Sequence, residues 1–237
     1  PLFFLFIRRP PISTLLPYTT LFRSQVMDAF QKFSKKPLTP KDFSCDRVVD
    51  KMQGVYIPFW LYSGNCEGSI TAEGINTRTW TSGNYRYTEK KYYSVYRNGT
   101  LDFKAVPVDA SSKTDDDAMD SIEPFDYSEM TAFNPGYLSG YLAERYDEDK
   151  DKCLPRAKER IENTTRDELR NTCNYNSVNV QSYEKHTEIK DVKYAMLPTW
   201  LLYTTYQDKP YFFAMNGQAD RKSTRLNSSH ITISYAV

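Results

Sequence analysis

Apolar and polar positions change period several times along this chain. Val26, Ala29, Phe30 and Phe33 fall at i, i+3, i+4 and i+7, which predicts a short helix over 25–33. Lys35-Lys36-Pro37 ends it, because basic side chains suit a helix C-terminus and proline cannot continue the helix. A second short helix is predicted over 46–52, closed by Gly54. From Val55 the pattern becomes that of strands. β-branched and aromatic residues run to Tyr62, break at Ser63-Gly64-Asn65, and recur over 69–72, 77–81, 85–96 and 100–108. Two polar breaks separate these runs, Ser82-Gly83-Asn84 and Asn98-Gly99. Asn-Gly supplies the positive φ angles of a type I′ turn, so a hairpin is predicted at 98–99.

Polar residues 110–117 read as a loop, followed by a short helix through Ile122 capped by Asp115 or Asp116 and stopped by Pro124. Tyr137, Leu138, Tyr141 and Leu142 have helical spacing within 136–145. The longest helix is predicted over 151–173. Leu154, Ala157, Ile161, Thr165, Leu169 and Thr172 form its narrow apolar stripe, and Pro155 is tolerable only near its first turn. Strands return over 177–183, 192–206 and 210–215, with a turn at Gln207-Asp208-Lys209. The expected class is therefore α+β: antiparallel β-sheets with one long amphipathic helix and several short helices. Pro58-Phe59-Trp60-Leu61 and Pro198-Thr199-Trp200-Leu201 echo one another. Proline cannot donate to a ladder, so both should sit at a sheet edge, a strand start or a bulge. Two similar sheet elements explain the echo more simply than a paired Pro/Trp surface for a ligand.

Charge changes the picture at the ends. Residues 1–24 contain no acid, and neither do 221–237. Arg8-Arg9-Pro10-Pro11-Ile12-Ser13-Thr14-Leu15-Leu16-Pro17 and the residues after it resemble a translated sequencing adapter. So does Asp220-Arg221-Lys222-Ser223-Thr224-Arg225-Leu226. Leu2 to Ile7 does not fit a signal peptide, because its arginines follow the apolar run instead of preceding it. The expected organisation is thus one domain over 25–219, flanked by adapter-like tails over 1–24 and 220–237. Outside the domain lie six basic residues and one acid, so the whole-chain charge of +1 conceals a domain of net −4, with 25 basic and 29 acidic residues. A mildly acidic domain without long basic runs is a poor match for a phosphate backbone, and nucleic-acid binding is not expected of it.

Candidate chemistry is sparse. Asp115, Asp116, Asp117, Asp120, Glu123 and Asp126 crowd one stretch. On a helix, Asp116, Asp120 and Glu123 would share a face and could hold a hard cation, giving an alternative reading as an enzyme of unknown class. A solvated helix start explains the same acids, and the stretch lacks the glycine and terminal glutamate of an EF-hand loop. Cys45, Cys66, Cys153 and Cys173 are too widely spaced for a zinc site and read as scattered free thiols. His186 has no nucleophile marked out beside it. No phosphate-cradling glycine loop is present, and no catalytic, cofactor-binding or metal-ligating residue is assigned. The anomaly is aromatic content, 15% of the chain with 19 tyrosines. Trp80, Tyr85, Tyr87, Tyr92, Tyr93 and Tyr96 concentrate in one β region. A half-buried sheet face is the default expectation for them, and a peptide or sugar platform the alternative.

Gly54-Val55-Tyr56-Ile57-Pro58-Phe59-Trp60-Leu61, Val106-Pro107-Val108-Asp109-Ala110-Ser111-Ser112-Lys113, Ile122-Glu123-Pro124-Phe125-Asp126-Tyr127, Tyr141-Leu142-Ala143-Glu144-Arg145-Tyr146-Asp147 and Phe213-Ala214-Met215-Asn216-Gly217-Gln218 carry a resemblance over 25–219. They resemble an uncharacterised family of bacterial, Firmicutes-type proteins named for an N-terminal zinc ribbon of the transcription-factor-IIB type. The resemblance implies a ribbon, with its zinc, ahead of these residues and a membrane-anchoring segment after them. The chain therefore reads as an internal fragment with no cofactor of its own. It is expected to be a binding or structural module of a larger, membrane-tethered protein in the cytoplasm or on the cytoplasmic face of the membrane. Its partner would be protein or the protein's own further segments, and the membrane would be reached only through the anchor.

Overall fold

The structure, a computed structural model, describes residues 14–17, 53–138, 141–206, 209–218 and 231–235, and for 203–212 and 231–235 the backbone alone. The helices expected over 25–33 and 46–52 and the turn residues 207–208 lie outside these. Eight strands and two α-helices make up the described chain. The strands are β1 (Thr14–Leu15), β2 (Gln53–Ser82), β3 (Tyr85–Asp109), β4 (Thr131–Ala132), β5 (Leu142–Ala143), β6 (Ser177–Tyr206), β7 (Lys209–Asn216) and β8 (Ile231–Tyr235); the helices are α1 (Asp116–Ser121) and α2 (Lys150–Asn171). Their order in one sheet is β3-β2-β6-β1-β4, with β5 joined to β2, β7 to β6 and β8 to β7.

The α+β expectation with antiparallel sheets is overturned. The described chain is mostly β, and the sheet is mixed, since β1 runs parallel to β6 and β5 parallel to β2. The physical reason is that polar and glycine residues read as strand breaks are strand interior. Ser63-Gly64-Asn65 lies within the 30 residues of β2, and 184–191 within the 30 of β6. Asn98-Gly99 does not form a turn either. Gly99 lacks positive φ and sits inside β3, where a Cβ would meet Leu169 Cδ2 at 3.5 Å, an ordinary contact. The hairpin turn falls instead at Gly83-Asn84, with Gly83 at φ +59°. The helix expected over 136–145 is replaced by a 3-10 turn, Pro135–Leu138, and strand β5.

The chain divides into two compact units, whose boundaries fall inside the long strands. Unit 1 holds residues 1–61, 107–153 and 193–237. Here β2 is buried on both faces from Val55 to Leu61, as a central strand with a continuous apolar run must be. Tyr56, Ile57, Phe59, Leu61, Met119, Ile122 and Leu197 form the core with Trp60 and Trp200. Pro58 and Pro198 are interior to β2 and β6, not at the starts of strands. Their carbonyls still accept bonds, Pro58 from Ala110 N–H at 2.9 Å and Pro198 from Gly217 N–H at 2.8 Å. The Pro/Trp echo is thus two core elements. β6 and β7 pair from Thr199↔Asn216 to Tyr206↔Lys209, as the hairpin pattern there requires. Thr14–Leu15, within the adapter-like stretch, pair with Ala195 and Met196, and Leu15 and Leu16 are fully buried.

Unit 2 holds residues 62–106 and 154–192. Its buried positions on β2 alternate strictly, Tyr62, Gly64, Cys66, Gly68, Ile70, Ala72 and Gly74, while the residues between them are partly or fully exposed. One sheet face is therefore wet and the other is covered. The cover is α2. Ala157, Ile161, Thr165 and Leu169 are buried along it, as the periodicity predicts, and Leu169 joins Ile70, Ala72, Val95 and Cys173 in one cluster. Glycines let the helix approach: a Cβ at Gly68 would lie 3.0 Å from Thr165 Cγ2 and 3.1 Å from Leu169 Cδ1. Asp149 caps α2, accepting from Asp151 and Lys152 N–H at 3.1 and 2.8 Å, so Pro155 lies in the second turn rather than the first.

Candidate functional site: an exposed aromatic and basic hairpin

The aromatic cluster singled out in the sequence lies on the hairpin of β2 and β3 in unit 2, and the structure places it in solvent. Residues 77–88 are exposed on both faces of the hairpin. Across Trp80, Tyr85, Tyr87, Tyr92, Tyr93 and Tyr96 the exposure runs from 40% at Tyr93 to 71% at Tyr85. The expected half-buried sheet face is therefore not what forms. The reason is the reach of the helix: α2 and Tyr175 cover the sheet only as far as Gly74 and Val95, and the strands continue beyond that cover.

The hairpin is ordered by its own contacts. Trp80 stacks on Tyr87, centroids 5.7 Å apart and planes 15° off parallel, and the Arg78 guanidinium carbon lies 5.8 Å from the Trp80 ring centre. Tyr93 leans on Tyr175 at 5.2 Å. At the base, Asn176 Oδ1 accepts from Thr77 N–H at 2.8 Å while Asn76 Oδ1 accepts from Asn176 N–H at 3.2 Å. These reciprocal bonds tie the start of β6 to β2.

Basic residues stand among the rings, a feature hidden in the chain-wide charge. Between Thr77 and Arg97 lie Arg78, Arg86, Lys90, Lys91 and Arg97 against the single acid Glu89, a local net of +4 within a domain read as −4. Glu89 pairs with Lys91 at 3.7 Å. The signal in the sequence is the interleaving Tyr85-Arg86-Tyr87 directly after the Gly83-Asn84 turn.

The remaining candidates resolve into structure. Asp115 caps α1 by accepting from Ala118 N–H at 2.8 Å, and Asp126 accepts from Ser128 N–H at 3.0 Å and from its hydroxyl at 2.6 Å. Among the described residues no three of His, Cys, Asp and Glu are grouped to hold a metal ion. His186 is exposed on β6. Cys66, Cys153 and Cys173 are buried thiols outside any disulfide; Cys45 lies outside the described residues. In unit 1, buried Asp109 accepts from Thr114 Oγ1 at 2.9 Å. A cleft of about 510 Å³ there is lined by Lys113, Arg145, Tyr146, Asp147 and Asp149. Asp147 accepts from the Ser112 hydroxyl at 2.6 Å and its N–H at 2.8 Å, and these bonds, the hydroxyl's first, hold its carboxyl below the ordinary range. The cleft lining carries both signs of charge and neither thiol nor imidazole.

Cys66 has the most elaborate surroundings. Thr187 Oγ1 lies 3.4 Å from its sulfur and 3.1 Å from Glu162 Oε1, Glu162 also pairs with Lys185, and the Tyr183 hydroxyl donates to the Glu162 carbonyl at 2.8 Å. Burial, first of all, pushes the Tyr183 hydroxyl pKa up. Cys66 itself is fully buried, so the seam fastens α2 to β2 and β6 and is closed to a substrate. Tyr183→Phe is expected to cost about 1 kcal/mol, the net worth of one such hydrogen bond. An unchanged urea midpoint would show that the seam contributes nothing.

No protein-family model matches the chain, and no solved structure matches it. The chain is 36% identical over 209 residues to the uncharacterised protein YdjG of Bacillus subtilis (strain 168), a match taking in 87% of this chain. It spans 61% of that relative's length, and is thus similar to a major part of an uncharacterised Bacillus protein.

Proposed function

We propose that this chain is a binding module of a longer bacterial protein, with the β2–β3 hairpin as its working surface. The single observation carrying this reading is the exposure of six large aromatic side chains on one hairpin, interleaved with cations. Stacked rings left in water, as Trp80 on Tyr87, are a common feature of binding sites, and Tyr, Trp and Arg are the residues that dominate binding hot spots. The share of the relative that the chain spans supports its being part of something longer. The resemblance read in the sequence supports a zinc ribbon ahead of it and a membrane tether after it. Within the described residues no helix is long and apolar enough to cross a membrane, so a tether of that kind would lie elsewhere. Among the described residues three buried cysteines stand outside any disulfide, in keeping with a reducing cytoplasmic setting. Of the acids in the alternative enzyme reading, Asp115 and Asp126 serve as caps.

Stability distinguishes a binding surface from a structural one. Rings kept for the fold would destabilise it when removed; rings kept for a partner would not. The triple variant Trp80→Ser, Tyr85→Ser, Tyr87→Ser is expected to melt within about 3 °C of the parent, because an exposed cross-strand pair contributes only about 0.2–1 kcal/mol. A fall several times larger would make the rings structural and sink the proposal.

A further inference from the structure

From this reading we infer that the partner is an acidic, extended peptide segment, which adds as a strand to the free side of β3. Three observations converge on that occupant. First, β3 ends the strand order, and among the described residues it pairs only with β2. A strand so placed offers a row of backbone donors and acceptors along its outer side. Second, every residue of β3 from Tyr85 to Ser94 except Glu89 is exposed, over a run long enough to pair with a peptide of about ten residues at about 3.4 Å per residue. Third, the charge on this run is positive: Arg86, Lys90, Lys91 and Arg97 lie on β3 and Arg78 on β2 beside it, against Glu89 alone. Lys and Arg on an edge strand keep like copies from pairing edge to edge, yet they attract a strand of opposite charge.

The arrangement favours a peptide over single-stranded nucleic acid. Ring stacking and cations would suit both. Only a peptide, however, uses the main-chain edge, and apart from the pair Lys90-Lys91 the cations are separated by other residues rather than forming a continuous track. Beyond the hairpin the domain is acidic, which opposes a long polyanion but not a short segment held against one strand. The far end of β3 is irregular: Ala105 has φ +57°, and its N–H donates to Ser63 Oγ of β2 at 3.0 Å, as at a bulge. The added strand would therefore lie along the hairpin end of β3, among Tyr92, Tyr93 and Tyr96.

The test is fluorescence anisotropy of the whole chain with labelled probes at low and high salt. A peptide of about ten residues alternating threonine with glutamate is expected to bind, and raised salt to weaken it. Its counterpart with lysine for glutamate should show at least tenfold weaker binding. So should an acidic peptide with proline at every second threonine, which removes ladder donors without changing charge. Arg86→Glu with Lys90→Glu should weaken the acidic peptide at least tenfold at an unchanged melting temperature. Equal binding of the proline peptide would overturn strand addition, and no binding of the acidic peptide would overturn the partner. Tighter binding of an oligothymidylate of similar length would replace it with nucleic acid. These failures leave the binding surface standing, because its own test is the stability of the ring variants.

Discussion

Gly64→Ala is expected to destabilise the protein by about 3 kcal/mol or more, at the upper end of what overpacking costs. A Cβ at Gly64 would lie 2.1 Å from the Glu188 carbonyl oxygen, 3.0 Å from Ile189 Cα and 3.1 Å from the Glu188 carbonyl carbon. All three are backbone atoms of β6, so relief requires moving a strand rather than turning a side chain. Gly99→Ala is the matched control, because its new methyl meets only Leu169 Cδ2 at 3.5 Å. It should shift stability by no more than about 0.5 kcal/mol, and could raise it by narrowing the unfolded ensemble. Urea titration of both variants gives the comparison. Equal midpoints would mean that β2 and β6 do not approach at Gly64 as described. A large loss at Gly99 alone would restore the turn that its Asn-Gly sequence suggests.

The second large effect concerns the tryptophans, of which the chain has three. Trp60→Ala is expected to cost about 3–5 kcal/mol, the range for emptying a large aromatic site in a core. Trp60 is only 8% exposed; its ring sits edge-on to Tyr194 at 5.2 Å and Tyr146 at 5.9 Å. Its indole N–H donates to the Glu148 carbonyl at 3.0 Å, so truncation also removes that carbonyl's donor. Trp200 is 6% exposed and packs edge-on against Tyr141 at 6.0 Å, which predicts a loss of the same order. Trp80, at 43%, should tolerate alanine with less than about 1 kcal/mol lost. Thermal unfolding of the three variants, with fluorescence of each remaining pair, would reveal the ranking. If Trp80→Ala proved as costly as Trp60→Ala, the hairpin rings would belong to a core and the proposed binding surface would be lost.

Local rules were legible where neighbouring residues decide the outcome. The i, i+4 repeat of Ala157, Ile161, Thr165 and Leu169 predicted α2 and its buried face, and of the two caps expected for α1, Asp115 or Asp116, Asp115 is the one that forms. The strand runs around Tyr56 and Trp200 were equally plain, because β-branched and aromatic residues have few other uses at such density. The aromatic concentration between Trp80 and Tyr96 was visible as well.

Tertiary structure decided the rest. Gly64, Gly68 and Gly74 carry no local mark that separates a turn from a close approach; the answer rests on Glu188, Thr165 and Tyr175, which lie about a hundred residues away. Whether Asn98-Gly99 turns depends on whether β3 has a partner through that point, and β2 provides one. The parallel pairings of β1 with β6 and of β5 with β2 join segments with no shared local pattern. Exposure of the hairpin rings was undecidable from composition for the same reason: a tyrosine on a strand is buried or wet according to what lies over it. Periodicity reports which residues share a face, and only the helix packed on that face determines how far along the strands it is covered.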